Sequence, residues 1–147
     1  GKVDKKIVLK IAEKLLLAGS DEIILADTIG AANPSSVGSL IKDCVKEFNK
    51  DILSVHFHDT RAMALANVCA ALTEGIRKFD SCIGGLGGCP FAPGAAGNLA
   101  TEDLANMLHQ MGYVTNVDLE KLSKIVDFCE NQLNTSLGGR MTAWLSN

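Results

Sequence analysis

The sequence predicts an α/β fold built around a parallel sheet. Segments with helical hydrophobic spacing alternate with short apolar runs that are typical of buried strands, and polar residues follow each run. Because parallel strands need crossover connections, this alternation indicates consecutive βα units with right-handed crossovers. Three strands are too few to close an eight-stranded barrel, so both an open sheet and a piece of a barrel fit the pattern.

Spacing and terminal signals place the elements along the 147 residues, which suit one domain. The motif NPSS at 33–36 marks a turn and the start of a helix, and Asp118 marks another N-terminus. Helices are predicted over about 5–17, 34–48, 62–74, 101–111 and 118–133, and strands over about 23–26, 52–58 and 78–83. The tail after residue 134 shows no clear periodicity.

Composition narrows the classes of partner. The net charge of -3 and the pI near 5.6 argue against a nucleic-acid or anionic-membrane partner, which would favour a basic surface. No apolar run approaches the length that spans a bilayer, and no signal peptide is visible. The five cysteines include no CxxC and do not resemble a disulfide framework, so we expect a reducing, cytosol-like compartment.

Two histidines on a predicted strand are candidates for metal binding. His56 and His58 are two residues apart, so a strand projects both imidazoles from one face while Phe57 points the other way. Two nitrogen donors near a strand end form half of a metal site. The alternative is that they are hydrogen-bonded core histidines, and an HxH alone does not decide between the two.

Two aspartates follow the predicted strands. Asp27 ends the first strand, where a carboxylate at the mouth of a parallel sheet is a candidate base or ligand orienter. A turn residue that bonds its own backbone is an equal alternative. Asp59 follows the histidine pair and is a candidate to orient an imidazole or to cap the next helix.

The segment 84–98 is unusually long for a βα connection and rich in glycine. It matches neither the GxGxxG dinucleotide fingerprint nor a P-loop. Cys89 lies among its glycines, away from any apolar face, so we expect an accessible thiol, which favours a reactive role; an incidental exposed thiol is the alternative. Asn98 offers an amide oxygen that suits a hard metal ion or a helix cap. His109 is more simply a surface residue than a ligand.

Five motifs together resemble the 3-hydroxy-3-methylglutaryl-CoA lyases, a family of barrel metallolyases related to the isopropylmalate and homocitrate synthases. The motifs are ADTIG at 26–30, VHFHDT at 55–60, ALAN at 64–67, GLGGCPF at 85–91 and GNLATEDL at 97–104. They occur in the family's order. The related synthases lack the cysteine of the glycine loop, so the loop favours cleavage over condensation.

The resemblance implies a (β/α)8 TIM barrel, of which residues 1–147 would be the C-terminal portion, with the last three βα units. It implies that His56, His58 and Asn98 bind a divalent metal, Mg²⁺ or Mn²⁺, and that His56, Asp27 and Cys89 are catalytic, with Cys89 on a mobile loop. The family's metal-ligating Asp and catalytic Arg, from the first barrel strand, have no match here, so we expect the chain alone to be inactive.

The implied reaction cleaves 3-hydroxy-3-methylglutaryl-CoA, an acyl-CoA thioester, to acetoacetate and acetyl-CoA. The implied assembly is a homodimer of the full-length protein, in the cytoplasm of a bacterium or in the mitochondrial matrix of a eukaryote. Residues 61–63 depart from the family's common Tyr-Gly-Gln, and Ala32 replaces a frequent glycine, which leaves the acyl group open. The alternatives are a lyase for another 3-hydroxyacyl-CoA, a condensing synthase and an inactive half-barrel.

Overall fold

A computed structural model of the chain describes residues 3–88, 97–137 and 139–145. In these residues three strands form one sheet in the order β1-β2-β3, with both pairs parallel. The strands are β1 (Ile23–Asp27), β2 (Leu53–Phe57) and β3 (Phe79–Asp80). The helices are α1 (Lys5–Leu17), α2 (Pro34–Glu47), α3 (Ala64–Thr73), α4 (Thr101–Gln110), α5 (Leu119–Leu133) and α6 (Arg140–Leu145). The predicted α/β fold with a parallel sheet is confirmed.

The two faces of the sheet have different roles. In β2, the side chains of Leu53, Val55 and Phe57 are buried in the hydrophobic core, which also takes in residues of α1, α2, α3 and α4. The period of two then sends the alternate residues of β2 to the opposite face. On β1 the same alternation buries Ile23 but leaves Ile24 54% exposed. The second face is therefore open at Ile24, although Ser54 beside it is buried, and it is the face that carries the histidines.

Local capping begins the helix that follows β1. Asn33 and Ser36 form a reciprocal capping box, and Pro34 lies in the first turn of α2, where its missing N–H costs nothing. The predicted cap of α5 is also confirmed, since the Asp118 carboxylate accepts a hydrogen bond from the Lys121 backbone N–H at 3.1 Å. These signals are local, which is why the sequence reveals them.

An ion pair joins the outer helices α1 and α2. Lys5 Nζ donates to the carboxylate of Asp43 and also to the hydroxyl of Ser39 at 3.0 Å. The hydrogen bond from Lys5 holds the pKa of the Asp43 carboxyl below its usual range. Because both partners are partly exposed, the pair contributes little to the free energy of unfolding.

Two elements differ from the sequence prediction. The third strand was predicted over 78–83 but ends at Asp80, because the chain then pairs with the segment that returns from the glycine-rich loop: Cys82 donates to Leu99 O at 3.0 Å. The helix α6 was not predicted. It is started by a distant side chain, since the Asp103 carboxylate accepts the backbone N–H groups of Arg140 and Met141.

Within the described ranges, no helix combines the length and the apolar character that a bilayer crossing requires.

The buried thiol of Cys44 provides a test of this packing. Cys44 lies on α2 with no exposed surface, and burial, followed by the nearby charge of Asp43, raises the pKa of its thiol to about 11. At pH 8 only about one Cys44 in a thousand is then a thiolate, the reactive form. We expect Cys44→Ala to leave the number of thiols that react rapidly with a disulfide reagent unchanged in the folded protein. In denaturant the same variant must show one thiol fewer. A loss of one fast thiol in the folded variant would contradict the packing.

Candidate metal centre

The histidine pair lies at the carboxyl end of the central strand. His56 is in β2 and His58 comes directly after it, and their ring centroids are 4.9 Å apart at an interplanar angle of 75°. His58 is 7% exposed, and the His56 side chain is 20% exposed on the open face of the sheet. The structure therefore brings the two imidazoles together on one face, as the strand period predicted.

A hydrogen bond at Nδ1 orients each ring. His56 Nδ1 lies 2.9 Å from Asp80 Oδ2, and His58 Nδ1 lies 3.0 Å from the backbone carbonyl oxygen of Asp27. A carbonyl oxygen and a carboxylate only accept, so the network assigns the ring proton to Nδ1 in both residues. Nε2 of each ring is then left with its lone pair, which is the form that binds a metal.

The amide of Asn98 is oriented in the same way. Residues 97–99 return beside the end of β2. The backbones of Asn98 and His58 form an isolated antiparallel β-bridge there, and the Leu99 N–H donates to Phe57 O at 3.0 Å. Asn98 Nδ2 donates to the backbone carbonyl of Leu86 at 2.9 Å. This contact commits the nitrogen of the amide, so its oxygen is the atom left for a ligand.

These donors fit one wall of a divalent metal site. His56 and His58 offer Nε2 and Asn98 offers an oxygen, and the remaining polar atom of each side chain is already bonded. The described residues contain no group of three or more His, Cys, Asp and Glu side chains that would hold a metal by itself. The chain therefore presents two imidazoles and one amide, and the other ligands of a full coordination shell must come from elsewhere.

The two aspartates near the site are engaged with the backbone. The Asp27 carboxylate accepts the N–H groups of Ala31 and Ala32 at 2.9 and 3.0 Å. These are the contacts expected of a turn residue that bonds its own backbone. The Asp59 carboxylate accepts the N–H of Ala64 at 2.9 Å and so caps α3 rather than orienting an imidazole. The catalytic role of Asp27 stays a prediction. His109 lies apart and bonds Thr115.

Glycines let the loop approach Asn98 closely. Gly85 and Gly87 have φ values of +66° and +111°, a region that favours glycine. A Cβ on Gly87 would lie 2.7 Å from Asn98 Nδ2, and a Cβ on Gly85 would lie 2.8 Å from the Asn98 carbonyl oxygen. The space that holds the Asn98 amide therefore depends on the absence of these side chains. Cys89 and residues 90–96 lie outside the described residues.

Sequence reasoning missed a buried carboxylate that holds the start of this loop. Glu102 is fully buried in α4, and its two oxygens accept the Gly84 N–H at 3.0 Å and the Thr142 hydroxyl at 3.2 Å. It therefore joins the loop to α6. The signal in the sequence was weak, because a glutamate in the first turn of a helix is ordinarily read as a solvent-exposed partner of the helix dipole. Asp80 was also missed, because it meets His56 only through the register of β2 and β3.

The comparisons with known proteins agree on one family. The family model described as HMGL-like matches residues 1–129. The hydroxymethylglutaryl-CoA lyase of Pseudomonas mevalonii is 48% identical over 136 residues, which is 92% of this chain and 45% of that protein. The corresponding lyase of Bacillus subtilis is 47% identical over 133 residues, covering 90% of this chain and 44% of its own length. The chain thus spans about half the length of these relatives.

Solved structures give the same result. The crystal structure of the Bacillus subtilis HMG-CoA lyase matches 99% of this chain and 49% of that chain, with a TM-score of 0.95 and 43% identity. The structure of an HMG-CoA lyase from Acinetobacter baumannii, in complex with coenzyme A and 3-methylmalate, matches 97% of this chain and 47% of that chain, with a TM-score of 0.92 and 40% identity.

A methyl group on the loop tests whether the Asn98 amide is held for binding. We expect Gly87→Ala to push Asn98 Nδ2 from Leu86 O and to weaken Mn²⁺ binding by about tenfold, the scale seen when a ligand's supporting partner is lost. Gly88→Ala is the control for a methyl group on the same loop, because a Cβ there meets nothing within 4 Å and the residue lacks the positive φ that adds strain at Gly87. Titration with Mn²⁺, followed by electron paramagnetic resonance, measures the affinity of both variants for the metal. Equal affinity in the two variants would show that the amide position does not matter.

Proposed function

The chain belongs to the HMGL-like family, and on this basis we propose that it is part of a metal-dependent lyase that cleaves 3-hydroxy-3-methylglutaryl-CoA to acetoacetate and acetyl-CoA. The observation that carries the proposal is the set of three oriented donors at the carboxyl end of β2, on His56, His58 and Asn98. The high similarity of the chain to hydroxymethylglutaryl-CoA lyases supports the choice of reaction. Ligand sites at the carboxyl ends of strands are also general in parallel α/β folds.

The active unit we propose is larger than this chain. The sheet has two edges with no further partner strand among the described residues, since β1 and β3 each pair only with β2. Large apolar side chains stay exposed beside β1 and at the far end of the chain: Ile7, Ile11, Leu15, Ile24, Phe128 and Trp144. A (β/α)8 barrel would pair such edges and cover such residues. We use "complete polypeptide" for this chain together with the remaining strands.

The position of the chain within that barrel is a separate proposal. The sequence motifs predicted the C-terminal portion and the last three βα units of a single (β/α)8 domain. The matched share of the relatives' length, 45% in the first of them, does not by itself support that position. The proposal rests on the resemblance of the motifs, and the missing ligands would then come from strands that precede Gly1.

The reaction that we propose balances without an oxidant or reductant. The C3 hydroxyl of the thioester loses its proton, the bond between C2 and C3 breaks, and the electrons of that bond form the acetyl-CoA enolate, which then takes up a proton. A bound divalent cation would supply a Lewis acid that lowers the pKa of a coordinated hydroxyl. The family depends on divalent metals, and Mg²⁺ or Mn²⁺ is the ion we propose here.

The roles that we propose for individual residues follow from their contacts. His56, His58 and Asn98 would hold the cation and fix the hydroxyl beside it. For His56, the contact of Nδ1 with Asp80 favours the ligand role over the additional role of proton acceptor, because an imidazole that ligates through Nε2 has no nitrogen left for the substrate. Each carboxylate oxygen of Asp27 accepts one turn hydrogen bond and keeps a further lone pair, which is available to a proton in the role that we propose for Asp27. Cys89 is the proposed acid or gate on the loop.

The proposed partners follow from the same resemblance. The acyl-CoA thioester is the substrate, and the complete polypeptide would form a homodimer. The Acinetobacter structure contains coenzyme A, which supports a thioester in this fold. Relatives named as cytoplasmic and as mitochondrial both occur, and we propose a cytoplasmic enzyme or, in a eukaryote, one of the mitochondrial matrix.

Acetoacetate release tests the proposed reaction directly. We expect the complete polypeptide to release acetoacetate from 3-hydroxy-3-methylglutaryl-CoA with Mg²⁺ or Mn²⁺, and to lose the activity when EDTA removes the metal. Asn98→Ala should lower kcat by about a hundredfold or more, because it removes one ligand. Cys89→Ala should lower it sharply if the loop thiol acts as acid or gate. The 147-residue chain alone should be inactive.

Other products separate the alternatives. Release of a different ketoacid from another 3-hydroxyacyl-CoA would keep the chemistry and replace the substrate. Consumption of acetyl-CoA with a 2-oxo acid, unaffected by Cys89→Ala, would replace the lyase by a condensing synthase. A folded complete polypeptide that binds metal and turns over none of these thioesters would sink the proposed function.

A further inference from the structure

We propose that Asp80 is a positioning residue of the metal centre, which holds His56 in the orientation and tautomer that present Nε2 to the metal. The inference rests on the proposed function in one respect, namely that a divalent cation binds here. Its direct basis is the contact of 2.9 Å between Asp80 Oδ2 and His56 Nδ1. A neutral imidazole carries one proton, so a proton held on Nδ1 leaves the lone pair on Nε2.

The sheet itself sets this contact. β3 contains only two residues in register with β2, and one of them is Asp80, whose Cα partner is His56. Neighbouring parallel strands lie about 4.8 Å apart, so partner side chains on the same face meet without any adjustment of the backbone. A carboxylate at position 80 therefore reaches the ring through short, fixed geometry. This is the arrangement that a ligand-orienting residue needs.

The same arrangement recurs at the other two donors. His58 is held by the backbone carbonyl of Asp27, and Asn98 is held by the backbone carbonyl of Leu86. In each of the three cases the atom that does not ligate is committed to an acceptor, and the ligating atom is left free to bind. A fortuitous surface ion pair would not be expected to reproduce that pattern. Asp80 differs from the other two acceptors in being a side chain, so substitution can remove it.

Asp80 can also be removed without endangering the fold. Its side chain is 57% exposed, and a contact at so exposed a side chain contributes little to the free energy of unfolding. No backbone N–H depends on its carboxylate among the contacts of the described residues, in contrast to Asp27 and Asp59. A loss of metal binding in an Asp80 variant would therefore report on the site rather than on unfolding.

The test uses the complete polypeptide in three forms: Asp80→Ala, Asp80→Asn and the control Asp51→Ala. Asp51 is an exposed aspartate just before the opposite end of β2. In metal-free protein labelled with ¹⁵N-histidine, the ring signals report the tautomer of His56, and His56→Gln identifies which signals belong to it. Titration with Mn²⁺, followed by electron paramagnetic resonance, gives the dissociation constant. Thermal unfolding confirms that each variant is folded.

We expect Asp80→Ala to move the His56 proton from Nδ1 to a mixture of both nitrogens and to weaken Mn²⁺ binding by about 10 to 100-fold, the range for lost supporting partners of metal ligands. Asp80→Asn keeps a carbonyl acceptor and should retain the Nδ1 tautomer with a smaller loss of affinity. Asp51→Ala should match the unmodified protein in both readouts.

Two results would overturn the positioning role. The first is an Asp80→Ala protein that keeps the Nδ1 tautomer and binds Mn²⁺ within threefold of the unmodified protein. The second is a loss of affinity with an unchanged tautomer, because that would mark Asp80 as a direct ligand. Neither readout involves the thioester. If both respond as expected and no acetoacetate is released, the proposed reaction fails while the role of Asp80 stands.

Discussion

The parallel pairing of β2 with its two neighbours determines where the two histidines and Asp80 lie. Because the side chains of a strand alternate, the register that buries Leu53, Val55 and Phe57 in the core sends His56 to the opposite face. A shift of one residue would move the histidines into the apolar core and expose that core to solvent. The cost of such a shift in buried apolar area fixes the register, and the register fixes the metal centre.

The second constraint is the return of the chain beside β2 after the glycine-rich loop. Residues 97–100 reach two neighbours at once, since Leu99 N–H donates to Phe57 O and Leu99 O accepts from Cys82. These backbone contacts, together with the buried Glu102 that holds Gly84, bring Asn98 next to His58. The amide of Asn98 therefore reaches the site through backbone pairing beside β2 and through a buried carboxylate that does not itself contact the proposed ligands.

Features that depend on neighbouring residues could be predicted from the sequence, and features that depend on contacts between distant residues could not. The helices 5–17 and 118–133 could be predicted because their caps and apolar spacing are local, and the shared face of His56 and His58 follows from the period of a strand. The shortness of β3, the helix α6 and the partners of the ligands could not be predicted, because they depend on contacts between residues 12 to 38 positions apart. Asp80 meets His56 only through the register of two strands, and Asp103 starts α6 across 37 residues.

The turn after the histidine pair holds a residue with a side chain in a backbone region that favours glycine. Ala62 adopts a φ of +54°, and a Cβ in that region costs about 1 kcal/mol. Asp59 offsets the cost, because its carbonyl accepts the Ala62 N–H at 3.0 Å and its carboxylate caps α3. The turn is thus maintained by Asp59 rather than by glycine. The side chains of Arg61 and Met63 beside this turn are exposed and make no contact with the metal ligands among the hydrogen bonds of the described residues, so we expect them to affect what the mouth of the site contacts and not the position of the ligands.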